Sequence, residues 1–159
     1  MRIFALIVLL CLSNLAQGQL RLDRFIQQGK LEIQQAKYSQ AIQTLGRVIV
    51  QDHNNYEAWH LRGLAKYYLK DNAGALRDLT RAIEINPAIP SYYLLRGILR
   101  DMKGDHYKAL EDFTAGLRFD PNDASLYYSR GTTRLRLSNY SLAIQDFNEA
   151  IRINKNLDE

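Results

Sequence analysis

Apolar positions recur along this chain with the spacing of amphipathic helices, and the pattern repeats every 34 residues after residue 21. One such stripe, between residues 106 and 119, comprises Ala109, Leu110, Phe113 and Leu117. Residues at this spacing share one face of a helix, and no segment shows the alternation typical of a strand. The pattern predicts eight helices, at about 22–35, 38–51, 56–69, 72–85, 90–103, 106–119, 124–137 and 140–153.

Four kinds of residue at constant offsets fix the register of the repeat. The glycines are Gly29, Gly63, Gly97 and Gly131. An aromatic residue precedes each glycine by four positions, at Phe25, Trp59, Tyr93 and Tyr127. An alanine follows each glycine after twelve positions, and a large apolar residue comes four positions later. A period of this length is typical of stacked arrays, in which no single unit buries its own apolar face. We therefore expect the function to lie in a surface that several units build.

This order of aromatic, glycine, alanine and large apolar residue resembles the tetratricopeptide repeat. The resemblance covers residues 22–157 as four units, at 22–55, 56–89, 90–123 and 124–157. The second and third units also carry the proline typical of the family, Pro87 and Pro121, whereas the first and fourth do not. The resemblance implies an all-α fold, a right-handed α-solenoid of four stacked helix-turn-helix repeats with a concave groove.

Residues 1–18 precede the repeats and have the pattern of a secretory signal peptide. Arg2 is followed by ten apolar residues, and Ala16-Gln17-Gly18 supplies a small-x-small ending. We expect cleavage after Gly18 and export to the bacterial periplasm or secretion, leaving a chain without cysteine. The alternative is an uncleaved segment that anchors the protein, although ten apolar residues fall short of the roughly 20 that span a bilayer. Stable membrane insertion is therefore not expected.

Composition gives no support to an enzyme or to a nucleic-acid-binding protein. The net charge is only +4, and the basic residues do not group with aromatic residues on one face. The histidines His53, His60 and His106 occupy unrelated repeat positions, and no two have the spacing of metal ligands. Phosphate-binding loops and nucleophile motifs are also absent from the sequence. We therefore expect no catalytic residue, no metal and no cofactor.

An arginine precedes the glycine in three units, and an aspartate follows each arginine after sixteen positions. The pairs are Arg62 with Asp78, Arg96 with Asp112, and Arg130 with Asp146. The first unit has Gln28 and Thr44 instead, so both charges are present together three times and absent together once. We predict that each pair meets across the two helices of its unit, contributing about 1 kcal/mol or less because of partial exposure. The alternative is two independent surface charges.

The resemblance also implies that the first helices of the units line the concave groove. The corresponding candidate peptide-binding residues are His60, Leu61, Leu64, Tyr67, Tyr68, Leu94, Leu95, Ile98, Tyr128 and Arg136. Apolar and aromatic residues in an accessible groove are typical of a binding surface. The alternative is that these side chains form the core between units. The basic clamp by which some family members hold chaperone C-termini is absent, since only one of its five positions is basic here, Lys30.

These patterns favour a non-catalytic protein–protein interaction module, an exported adaptor or scaffold that binds a peptide or a partner helix of unknown identity. The alternative is a structural subunit of an envelope complex, or a homo-oligomer, assembled through the ends of the array. The last predicted helix carries more apolar residues than one neighbouring helix covers. We therefore expect exposed apolar residues, Ile151 among them, to cluster at the C-terminal end and to mediate self-association.

Overall fold

The computed structural model of the protein describes the backbone of residues 2–155 and the side chains of residues 17–155. Within this range it consists of α-helices without strands, which confirms the all-α prediction. The eight helices are α1 (Arg2–Gln34), α2 (Tyr38–Gln51), α3 (Tyr56–Tyr68), α4 (Asn72–Ile85), α5 (Pro90–Met102), α6 (His106–Phe119), α7 (Ala124–Arg136) and α8 (Tyr140–Lys155).

The first helix begins much earlier than the sequence pattern predicted. We expected a helix from about residue 22, whereas α1 is continuous from Arg2. Residues 2–21 contain no proline, and a lone glycine such as Gly18 lowers helix stability without ending a helix. The side chains of residues 1–16, which make up most of the predicted signal peptide, lie outside the described part of the structure. The signal peptide therefore remains a prediction from the sequence.

Two helices form each unit, and small residues let them cross closely. Ala41, Ala75 and Ala109 are completely buried where the two helices meet. At Gly97, a Cβ atom would lie 2.5 Å from Cε1 of Phe113 on the second helix, closer than real Cβ contacts come. A larger residue at this position would therefore push the helix axes apart.

The turn inside every unit uses a residue in the left-handed backbone region. These residues are Ala36, Lys70, Gly104 and Ser138, with φ between 57° and 90°. In the second unit the N–H groups of Lys70 and Asp71 donate to the carbonyls of Tyr67 and Lys66 at 2.9 and 3.0 Å. This arrangement satisfies the free carbonyls at the helix end, and only one of the four turns places a glycine there.

The apolar core runs lengthwise through the array, from the second helix of one unit to the first helix of the next. Ala82 and Ile83 of α4 pack with Tyr92 and Tyr93 of α5. The next junction repeats the arrangement, with Phe113 and Leu117 of α6 against Leu126 of α7. Each junction therefore completes the core of two units, as the predicted α-solenoid of stacked helix pairs requires.

Candidate functional site

The structure brings together all three of the arginine–aspartate pairs singled out in the sequence. Arg62 donates from Nε and Nη2 to the two carboxylate oxygens of Asp78 at 2.8 and 2.9 Å. Equivalent pairs, with shortest N–O distances of 2.6 and 2.7 Å, are Arg96–Asp112 and Arg130–Asp146. Since each pair joins the first and second helices of one unit, its bidentate geometry fixes the orientation of the two helices.

These pairs are more buried than expected from the sequence, and each includes a second cation. The aspartate side chains are 3–4% exposed and the arginines 12–19%. A further basic residue, one helical turn after each arginine, contacts the same carboxylate at 2.8 Å: Lys66, Arg100 or Arg134. Removing one partner of a buried ion pair costs about 3–5 kcal/mol, because the remaining charge is left buried and unpaired.

Two of the arginines also reach the preceding unit. Nη1 of Arg96 donates to Oγ1 of Thr80 at 3.4 Å, and Arg130 makes the same contact with Thr114. The equivalent position in the first unit is Gly46, which has no hydroxyl. Each guanidinium group also lies over the aromatic ring of its own unit, Trp59, Tyr93 or Tyr127. The arginines therefore stabilise both the units and two of the junctions between them.

The predicted groove residues divide into a buried set and an accessible set. Leu61 is only 8% exposed and packs with Ala41 and Leu45 in the core of the first two units, so its placement in an open groove is wrong. Leu95 is partly buried against the α4 side of the core. Leu64 and Tyr67 are also partly buried. Leu61 therefore faces α2 and Leu95 faces α4, and the alternative of an inter-unit core holds for these two residues.

His60 stacks on the ring of Tyr92, with ring centroids 4.3 Å apart. Burial lowers the pKa of His60 to about 4, an effect that the carboxylate of Glu57 partly opposes. Burial also raises the pKa of Tyr92 to about 12, with smaller contributions from Glu57 and Tyr56. This aromatic pair joins α3 to α5 as a packing contact.

Other predicted groove residues lie at the surface but already have neighbours within the chain. Tyr68 is 46% exposed and stacks on Tyr38 at 4.8 Å between ring centroids. Arg136 of α7 forms an ion pair with the buried Asp101 of α5, whose other oxygen lies 2.7 Å from Nδ1 of His106. These contacts tie adjacent helices together and leave only part of each side chain available for a ligand.

One apolar groove of about 570 Å³ lies between α5, α7 and α8, and we call it the C-terminal groove. Its walls include Leu94, Ile98, Tyr128, Phe147, Ala150 and Ile151. Three of these, Leu94, Ile98 and Tyr128, belong to the predicted groove. The contribution of α8 was missed, because the family pattern assigns the concave surface to first helices. The exposed apolar character of Ile151, noted in the sequence, was the signal that could have located it.

Exposed apolar side chains are concentrated on α8, as expected for the C-terminal end. Tyr140, Leu142, Ile144 and Ile151 are 44–60% exposed, more large apolar residues than any other helix exposes among residues 17–155. Within the described residues no cluster of three or more potential metal ligands occurs. The part of the chain that the structure describes also contains no helix long and apolar enough to cross a membrane.

The repeated helix pairs, packed one after another around buried apolar clusters, define an α-solenoid. The family model of the tetratricopeptide repeat matches residues 26–88, 60–124 and 94–157, so the chain belongs to the tetratricopeptide repeat family. No curated protein sequence matches the chain closely enough to count as a relative.

Solved structures of similar fold include a crystal structure of MamA. It is 23% identical, with 86% of this chain and 80% of that chain covered and a TM-score of 0.82. MamA from Desulfovibrio magneticus RS-1 is 20% identical over 87% of this chain and 78% of that chain, with a TM-score of 0.79. The first TPR of Spaghetti (RPAP3), bound to the HSP90 peptide SRMEEVD, is 23% identical over 74% and 93%, with a TM-score of 0.71. At these identities the similarity shows the fold alone.

Proposed function

We propose that this protein is a non-catalytic interaction module, an exported adaptor that binds a peptide or a partner helix. The observation that carries the proposal is the C-terminal groove, where Leu94, Ile98 and Tyr128 meet Phe147 and Ile151. Tyr128 is 62% exposed and Ile151 is 53% exposed, so both offer apolar area to a ligand. Aromatic and aliphatic side chains in such a groove are the residues that dominate binding energies.

The family supports binding of a protein segment, and the residues of this chain favour an apolar ligand. The Spaghetti structure holds an HSP90 peptide, which is an example of a peptide bound to this fold. In the present chain Ile26 and Leu61, at two of the clamp positions, are buried, and Leu95 at a third is partly buried. A groove without that basic clamp would select its ligand by apolar contacts and not by a terminal carboxylate.

Photo-crosslinking from the groove tests this function. A photoreactive phenylalanine analogue in place of Tyr128 should crosslink to a partner in the native envelope fraction. The matched control is the same analogue in place of Tyr107, which is 73% exposed on α6 and does not line the C-terminal groove. Equal crosslinking from both positions, or none from position 128, would contradict the proposal.

Export is the second part of the proposal and rests on the pattern of residues 1–18. Mass spectrometry of the protein isolated from its native host should find Gln19 at the N-terminus, in the periplasmic or secreted fraction. An intact N-terminus in a membrane pellet would instead favour the uncleaved anchor.

A structural subunit assembled through the array ends is the second candidate function. It is favoured by the exposed apolar side chains of α8, including Ile144 at 59%. Light scattering after size exclusion separates the two candidates. A monomer at high concentration supports the adaptor, whereas a dimer or larger species supports assembly.

A further inference from the structure

We propose that a hollow at the junction between the first two units binds a phosphate group. This junction hollow, of about 560 Å³, lies between α2 and the side chain of Arg62 on α3. Its lining residues are Gln43, Gly46, Arg47, Val50, Gln51 and Arg62. The site shares no residue with the C-terminal groove, so the inference is independent of the proposed interaction function.

Gly46 leaves one guanidinium nitrogen of Arg62 without the partner that its counterparts have. Nη1 of Arg96 donates to Oγ1 of Thr80 at 3.4 Å, and the next junction repeats this contact at the same distance. Gly46 occupies the threonine position in the first unit, and a Cβ atom there would have one neighbour from another helix within 4 Å, Nη1 of Arg62 at 3.9 Å. Among the described residues, Arg62 forms hydrogen bonds through Nε and Nη2 alone. Its Nη1 is therefore available to a ligand in the junction hollow.

The guanidinium group of Arg62 is already held in place. Its Nε and Nη2 bind the two carboxylate oxygens of Asp78 at 2.8 and 2.9 Å. Its central carbon lies 4.7 Å from the centroid of the Trp59 ring. Because the side chain is ordered before a ligand arrives, little further conformational entropy is lost when Nη1 binds one.

The charges around the junction hollow favour an anion. Asp78 is bound by both Arg62 and Lys66, so this group of three side chains carries one positive charge in excess. Arg47 adds a second positive charge to the lining. At the edge of the hollow, Arg21 donates to the side chain of a lining glutamine at 3.1 Å. The lining residues are all neutral or basic, and such an excess of positive charge attracts an anion.

The equivalent hollows of the next two units differ in both respects. The hollow on α4 is lined by Thr80 and Glu84 among other residues, and the hollow on α6 by Thr114 and Glu111. Each threonine hydroxyl accepts from the arginine of the next unit, and that arginine does not line the hollow. Each glutamate adds a negative charge that opposes an anion. The first junction therefore combines an available arginine with a lining free of carboxylates.

A phosphate group suits the donors that line this hollow. Its oxygens accept hydrogen bonds from several donors at once, and the N–H groups of arginine match this geometry. Nη1 of Arg62 would bind one oxygen and the guanidinium group of the exposed Arg47 another, with the side-chain amide of Gln43 as a further donor. The hollow is larger than a phosphate ion, so it admits either the free ion or the phosphate group of a small molecule.

The sole tryptophan of the chain, Trp59, lies against Arg62 and reports binding at this site. Titration of the full chain with sodium phosphate, at an ionic strength kept constant with sodium chloride, should change its fluorescence until the site is saturated. The same titration should shift the Nε–H signal of Arg62 in NMR spectra. Half-saturation is expected on the order of 1 mM, which is within reach of so small a ligand. A parallel titration with glycerol phosphate separates the two sources: tighter binding identifies a phosphorylated small molecule as the ligand, and equal or weaker binding identifies the free ion.

Substitutions at two positions test the role of the lining residues. Gly46→Thr supplies the hydroxyl found at the later junctions and should weaken phosphate binding about tenfold or more. Gly46→Ala adds no hydroxyl and should leave binding nearly unchanged. Arg47→Gln should weaken binding about fivefold, because it removes a charged donor. The matched control is Arg81→Gln at the equivalent position of α4, which should have no effect.

Three outcomes would overturn the inference. One is a response to phosphate that is no larger than the response to chloride in both the fluorescence and the NMR titrations. Another is equal phosphate binding by the wild type and Gly46→Thr, provided that circular dichroism shows the same helical content. The third is equal weakening by Arg47→Gln and Arg81→Gln, since phosphate would then be attracted by the basic surface in general and not by the junction hollow.

Discussion

Replacing Gly97 by alanine should destabilise the array, even though alanine is the better helix former. The added Cβ would lie 2.5 Å from Cε1 of Phe113 and 2.9 Å from two further ring atoms. The ring is 1% exposed in the core, so it moves only if the side chains packed around it also move. Overpacking of this kind costs about 1–3 kcal/mol, and helix propensity offsets about 1 kcal/mol of it. We expect a net loss of stability of up to about 2 kcal/mol.

The same substitution at Gly46 is the matched control, and it should stabilise the protein. A Cβ there would meet only Nη1 of Arg62, at an ordinary contact distance of 3.9 Å. Helix propensity should then contribute about 0.5–1 kcal/mol. Gly63 is an intermediate case, because its Cβ would lie 3.3 Å from Cγ of Leu79 and a small adjustment would accommodate it.

Thermal unfolding followed by far-ultraviolet circular dichroism measures both effects. A chain of this size shifts its midpoint by about 2–4 °C per kcal/mol, so Gly97→Ala should lower Tm by up to about 8 °C. Gly46→Ala should raise it by about 1–4 °C. If Gly97→Ala raised the midpoint as much as Gly46→Ala, close contact at the helix crossing would not explain the glycine.

Three further substitutions probe other features of the structure. Asp112→Asn should cost about 3 kcal/mol in urea unfolding, because two cations lose their buried counterion. Acidification below pH 6.5 should destabilise the wild type progressively down to about pH 4, because the unfolded chain protonates before the folded-state pKa of His60 is reached. The resulting loss in the free energy of unfolding is at most about 3 kcal/mol, and it should be absent in His60→Gln. Lys70→Gly should raise Tm, because glycine adopts φ 65° without the cost of about 1 kcal/mol for other residues.

Each of these predictions has an outcome that contradicts it. The ion-pair interpretation is wrong if Asp112→Asn unfolds no more easily than Glu111→Gln, a change at the exposed neighbouring position. The burial argument for His60 does not hold if His60→Gln keeps the acid sensitivity of the wild type. A lower Tm for Lys70→Gly would mean that the contact between Nζ of Lys70 and the ring of Tyr67, at 5.9 Å, outweighs the backbone strain.

The fold was predictable because one pattern is written four times and each copy constrains the others. A helix end that is ambiguous in the sequence of one unit is clear in another. Gly104 indicates the turn in the third unit, and the equivalent turns of the other units have Ala36, Lys70 and Ser138. The start of α1 was not predictable in this way. It lies outside the repeat, and residues 2–21 carry no proline or turn motif to end a helix.

The ion pairs were predictable because the arginine and the aspartate occur together in the same units. The groove residues were not, because they depend on how each helix is rotated about its axis, which the sequence does not fix. The second cation could have been found by the same argument, because Lys66, Arg100 and Arg134 each follow an arginine by four positions. Leu61 was misplaced because a half-turn of rotation decides whether its position faces the core or the groove. The contribution of α8 to the C-terminal groove depends on how neighbouring units pack, and the sequence of a single unit does not show this.

The threonine contacts of the arginines make cooperativity uneven along the array. Arg96 and Arg130 each link their unit to the one before it, but Gly46 leaves Arg62 without this link at the first junction. In a solenoid, nearest-neighbour terms determine which units open together. We expect Thr80→Ala and Thr114→Ala to make hydrogen exchange in the later units less cooperative, because the first junction already has nine buried apolar residues and does not depend on such a link. The first two units would then be held together mainly by apolar packing, and the later units by packing and polar contacts together.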